Sequence, residues 1–90
     1  MSTVKDNRDY RRFELEENGQ TAFANYHRSG LHVVIPHVEA PPALRGTGAA
    51  SRLMNGIVTR ARAEGFKITP TCSYAFAWFR RHKDAQDVLD

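Results

Sequence analysis

Residues 41–54 read PPALRGTGAASRLM, and in them Arg45 is followed by two glycines and two alanines within five positions. Glycine loses more conformational freedom on folding than any other residue, so a loop keeps it where backbone bends sharply or approaches something closely. Pro41-Pro42 ends whatever extended segment precedes it. From Ala50 onward, Leu53, Met54, Ile57, Val58 and Ala61 follow at steps of three, one, three, one and three. That stripe is helical, and Arg52, Asn55, Thr59, Arg60 and Arg62 cover its opposite face. The stretch is therefore a turn that joins a strand to a helix, and its position decides the fold.

Working outward, Gly65 is the expected C′ residue ending that helix. Upstream, Tyr10 to Glu17 (YRRFELEE) partly alternates and stops at Asn18-Gly19, the strongest short hairpin signal. Thr21 to Arg28 and Leu31 to Glu39 (LHVVIPHVE) are read as the second and third strands of a meander, separated by Ser29-Gly30. Phe13, Phe23 and Tyr26 are assigned to the core. Pro36 interrupts the third strand and marks an edge, a bulge or the end of pairing. Downstream, Phe66 to Thr71 (FKITPT) is a fourth strand. Ser73 is placed as the cap of a last helix reaching about His82, with Ala75, Trp78 and Phe79 inward, and Asp84 starts a short turn. A helix between strands three and four makes them parallel, through a right-handed crossover. The class is α+β, a mixed α/β sandwich of an antiparallel three-stranded meander, a helix, a parallel strand and a C-terminal helix.

Ninety residues form one small domain, 1–90, whose first nine residues are expected to be flexible. The N-terminus is too charged for a signal-peptide core and no apolar run approaches a membrane span, so a cytoplasmic protein is expected. A lone cysteine, Cys72, excludes an internal disulfide and a multi-cysteine zinc site. His27 and His32 are isolated and show no metal-ligand spacing, so no metal is expected. Residues 1–44 carry five Lys/Arg against six Asp/Glu, and residues 45–90 carry eight against four. The glycine turn thus opens a basic half, which suits an anionic partner or serves as ordinary solubilising charge.

Helix N-termini bind phosphates because their first N–H groups lack intrahelical partners and the dipole is positive there. A mononucleotide P-loop requires a lysine that this turn lacks. The dinucleotide pattern G-x-G-x-x-G fits Gly46 and Gly48 but meets Ser51 at its third position, and the chain is too short for two mononucleotide halves. The acyl-CoA pattern [QR]-x-x-G-x-[GA] is filled by Arg45, Gly48 and Ala50.

PPALRGTGAASRLM, followed by ARAEGFKITPTCSYAFAWFRRH, resembles the small single-domain branch of the GNAT-type N-acetyltransferases. The likeness spans roughly Phe13 to Leu89 and rests on an R-G-x-G-x-A loop paired with a downstream C-S-[FY]. This branch is similar to a GNAT fold without its first helices. The chain departs from it at His82-Lys83, where the branch usually has His-Pro. The resemblance implies a minimal acyl-CoA N-acyltransferase fold, acetyl-CoA as acyl donor and an unidentified amine as acceptor. It also implies a CoA site built from Val38, from Arg45, Gly46, Thr47, Gly48, Ala49, Ala50 and Ser51, and from Phe79 and Arg80. In this fold the third strand splays from the next, and pantetheine enters the gap.

Acetyl transfer needs a neutral amine, yet a lysine of pKa ~10.4 is neutral only about once in 2,500 at pH 7, a deficit of roughly 4.6 kcal/mol. A base within reach reduces it. His37 and Glu39, two apart in the third strand, share a face. His37 is the candidate base, or else a strand-surface histidine. Glu39 orients His37 or a cationic acceptor, or is a solvated carboxylate. The resemblance places Cys72 near the thioester, either as a nucleophile passing through an acetyl-cysteine or as a small residue lining the tunnel. Three readings follow. The first is an acetyl-CoA-dependent N-acetyltransferase, monomeric or homodimeric. The second is a non-catalytic acyl-CoA sensor. A nucleic-acid binder is disfavoured, because RNA recognition wants aromatics interleaved with basic residues on an exposed strand face.

Overall fold

The structure is a computed structural model that describes residues 4–90. Five strands form one sheet in chain order: β1 (Lys5–Asn7), β2 (Arg12–Glu17), β3 (Gln20–Ser29), β4 (His32–Glu39) and β5 (Lys67–Pro70). All neighbours are antiparallel except β4 and β5, which are parallel and joined across helix α1 (Ala49–Glu64). Helix α2 (Ser73–Arg81) follows β5, and a 3-10 turn, Lys83–Val88, brings the chain back to bridge Leu89 to Ile68. Among the described residues, no helix is long and apolar enough to cross a membrane.

Both helices pack on one face of the sheet. Phe13, Leu15, Ala22, Ala24, Tyr26, Val33, Ile35 and Ile68 point into that layer and meet Leu53, Met54 and Ile57 of α1 and Trp78 and Phe79 of α2 in one buried cluster. Among the described residues, the other face carries no helix. Strand parity corrects one expectation here: residues 23 and 26 lie on opposite faces, so Tyr26 is buried while Phe23 faces outward beneath the Arg12 guanidinium, 4.4 Å from its ring. Small Ala22 and Ala24 occupy the inward positions that size alone had suggested for Phe23.

The N-terminal segment and the start of α2 add two details. Of the first nine residues, 1–3 lie outside the described residues, while Lys5–Asn7 pair with Glu14, Phe13 and Arg12 as strand β1. Asp6 there accepts a 2.5 Å hydrogen bond from the Tyr26 hydroxyl, which ties the segment down. Ser73 is not a cap: α2 begins on it, and the N-cap residue is Cys72, which makes no side-chain capping bond. The Asn18-Gly19 turn has positive φ at both residues, 52° and 74°, as the sequence suggested.

Pro36 sits in a bulge. Asn25 pairs with His37 and His27 with Val34, so Ile35 and Pro36 together oppose Tyr26. Pairing of β4 with β5 ends at the same point, with Ile35 opposite Pro70. Residues 37–39 therefore keep their partner on β3 but have no strand on the side facing α2.

Candidate functional site

The unpaired edge of β4, the glycine turn and the start of α2 enclose one cleft. Pro42–Leu44 forms a short 3-10 turn, flanked by Pro41 and Arg45 and anchored by buried Leu44. The Thr47 amide bonds to the Leu44 carbonyl at 3.2 Å, and the Thr47 hydroxyl donates to that same oxygen at 2.6 Å while accepting from the Ala49 amide at 3.3 Å. Gly48, at φ 88°, is the N-cap residue of α1 and has no side chain with which to cap it. The amides of Gly46, Gly48, Ala50 and Ser51 consequently meet no protein acceptor among the described residues. The first turn of α1 itself holds no acidic residue.

Two adjoining hollows run along this cleft. One, of about 260 Å³, is lined by Leu44, Arg45, Gly46, Gly48, Ala49, Ala50 and Ser51. The other, of about 430 Å³, is lined by His37, Val38 and Glu39. Ala40, Arg45, Ala50 and Tyr74 border both. Arg45 is steadied by donating through Nε to the Ala40 carbonyl at 3.2 Å. His37 Nε2 and Glu39 Oε1 lie 2.9 Å apart on the outer sheet face, both about half exposed, with the Phe23 ring 6.3 Å from the imidazole.

The structure thus gathers His37, Val38, Glu39, Arg45, Gly46, Gly48, Ala49, Ala50 and Ser51 around one space. Thr47 turns its polar groups onto the loop itself. The Ser51 hydroxyl accepts from the Trp78 indole at 2.9 Å, leaving its amide as the group that faces the cleft end of α1. Cys72 is half-buried against the core, its amide on the Ile35 carbonyl at 3.2 Å, and lines neither hollow. Phe79 is buried, and with Arg80 it borders a separate hollow beside Pro70, Phe76 and Leu89.

Tyr74 was not singled out from the sequence, although it is the last residue of the C-S-Y motif. The first turn of α2 carries it into both hollows. Burial pushes its hydroxyl above the ordinary tyrosine value, and Arg81 pulls it partly back. Arg81, seven residues on, lies two turns further along the same side of α2. Among the described residues, no group of three or more His, Cys, Asp or Glu could hold a metal ion.

Comparison with known proteins agrees with this geometry. A family model described as GCN5-related N-acetyl-transferase matches residues 12–88. The fold is similar to the solution NMR structure of a GCN5-like N-acetyltransferase candidate from Staphylococcus aureus. The two are 26% identical with a TM-score of 0.73, over 97% of this chain and 86% of that one. Comparison with curated proteins gives no match. Since the matched span runs from the first residue of β2 to the last of the 3-10 turn, this chain belongs to the GCN5-related N-acetyltransferase family.

Proposed function

We propose that the protein binds acetyl-CoA and transfers its acetyl group to an amine. The observation carrying this reading is the set of four unpartnered amides at the head of α1, opening onto the one stretch of β4 that lacks a second strand. The residues present suit the ligand. Gly46, Gly48, Ala50 and Ser51 offer N–H donors for a diphosphate, Arg45 adds charge beside them, and the edge around Val38 offers main-chain groups for the amides of pantetheine. When bound, acetyl-CoA supplies an acetyl group activated as a thioester.

The chain's own side chains supply proton handling. His37 is open to solvent at the mouth of the cleft, where an amine can reach it, and it takes the proton that the amine loses. Glu39 holds the ring in place, its Oε1 2.9 Å from Nε2. Tyr74 presents its hydroxyl to the hollow as a hydrogen-bond donor. Direct transfer suits this arrangement better than passage through Cys72, which stands outside both hollows. Nucleic acid fits the outer face poorly, because Phe23 lies between Glu14 and Glu39 in the sheet register and both carboxylates oppose phosphate.

The test combines calorimetric titration with CoA and acetyl-CoA and free-thiol release with a panel of amines. His37→Ala is expected to bind normally and to lose about 10²–10⁴ in rate. Cys72→Ala is expected to keep most of its activity; a loss, together with an acetyl mass increment on wild type that Cys72→Ala lacks, establishes the acetyl-cysteine route instead. Tight binding with no thiol released for any amine would make the protein an acyl-CoA sensor.

A further inference from the structure

The glycine turn contains two residues in the left-handed region, Gly46 at φ 78° and Gly48 at φ 88°, and a loop so built has little intrinsic preference for one shape. Its amides are useful to an anion only if their peptide planes are fixed. The Thr47–Gly48 plane matters most, because a trans peptide points its carbonyl and its N–H in opposite directions. Turned one way, this unit presents the Gly48 N–H to the cleft. Turned the other way, it presents the Thr47 carbonyl, and a negative dipole faces the ligand.

The Arg52 side chain reaches that plane. Arg52, one turn into α1, folds back so that Nη1 donates to the Thr47 carbonyl at 3.0 Å. Two more of its N–H groups go to Glu17, the last residue of β2 and 35 positions away: Nε to Oε2 and Nη2 to Oε1, both at 2.7 Å. Glu17 lies on the helix-covered side of the sheet and holds the guanidinium as a fork holds a plate. Gly48 completes the fit, because a Cβ there would lie 3.0 Å from Arg52 Nη1. The ion pair is exposed, and exposed pairs add little to global stability. Its geometric effect is local and specific.

We propose that Arg52, braced by Glu17, locks the Thr47–Gly48 peptide with its carbonyl turned away from the cleft, and so is a positioning residue for binding the diphosphate of coenzyme A. The inference rests on the reading of the cleft given above.

The experiment measures CoA affinity calorimetrically for wild type, Arg52→Gln, Arg52→Lys and Glu17→Gln, alongside thermal unfolding and the amide resonances of ¹⁵N-labelled, ligand-free protein. Arg52→Gln is expected to weaken CoA about tenfold or more, the loss of one charge-assisted amide contact. Its melting temperature should barely move, and its Gly48 resonance should shift or broaden while that of Gly30 stays. Arg52→Lys should rescue only in part, since one ammonium cannot span both Glu17 and the carbonyl. Glu17→Gln separates bracing from direct contact. If Arg52 instead binds phosphate itself, freeing it from Glu17 will leave affinity equal or higher, and that result overturns the lock. Wild-type affinity in Arg52→Gln also overturns it. A wild-type protein that fails to bind CoA would remove the reading of the cleft, while the Gly48 resonance would still report whether Arg52 fixes the loop.

Discussion

Ile35 and Pro70 are the last matched pair between the two parallel strands, and beyond them the Ile35 carbonyl takes the amides of both Thr71, at 3.1 Å, and Cys72, at 3.2 Å. One acceptor serving two successive donors turns the chain off the line of β5 and into α2. On the other side Pro36 has no N–H to offer a ladder and is absorbed by the bulge. The cleft exists because two prolines and one doubly used carbonyl stop the pairing at the same level.

Ala50 lines both hollows of that cleft. Ala50→Leu keeps a good helix former on a half-buried position, so the fold should survive. The larger side chain should reduce CoA affinity by at least about tenfold. A thermal melt checks the first effect and calorimetry the second.

Gly46 and Gly48 both have positive φ, but only Gly48 has a neighbour where a Cβ would stand. Alanine at either site should cost roughly 1–2 kcal/mol of stability from the left-handed backbone. Only Gly48→Ala must also displace Arg52, so it should lose clearly more CoA affinity than Gly46→Ala at similar stability. Equal losses would contradict this ordering.

Trp78 is 1% exposed and its indole N–H has Ser51 Oγ as acceptor. Ser51→Ala leaves that donor buried without a partner and should destabilise by about 1–3 kcal/mol in denaturant unfolding. Adding Trp78→Phe removes the stranded donor, so the double variant should lose less than the two single changes added together.

Tyr26 has its hydroxyl pushed up to about 12, by burial first and then by the hydrogen bond to Asp6. A group whose folded value is raised contributes stability in full below its unfolded value near 10, and that contribution is lost as pH rises from about 10 toward 12. Wild type should therefore weaken over this alkaline window more steeply than Tyr26→Phe. Urea unfolding at several pH values, with absorbance at 295 nm following phenolate formation, checks the sign.

Local backbone chemistry was the legible part of this sequence. Asn18-Gly19, Pro36, the glycine turn and Gly65 each announce a conformation through their own covalent structure, so the order of strands and helices followed from them. What depends on distant partners was hidden. Lys5–Asn7 is a polar triplet that is strand only because β2 and Tyr26 receive it. Phe23 was misplaced because bulk was weighed before parity. In the cleft, the loop residues lie beside His37, Val38 and Glu39; spacing told only that His37 and Glu39 share a face, and the resemblance supplied the rest. Tyr74 needed the turn of α2 that faces it toward Ala50, and Arg52 needed Glu17, brought beside it only by the folded sheet.

The two margins of the sheet carry a last consequence. One is a three-residue strand bearing Lys5; on the other, Pro70 cannot donate, and the Asp90 amide takes the Ile68 carbonyl at 3.0 Å. Short, charged, proline-bearing or covered borders give a foreign strand little to hydrogen-bond with. A chain this small can therefore keep one sheet face bare without inviting fibril growth from its rims.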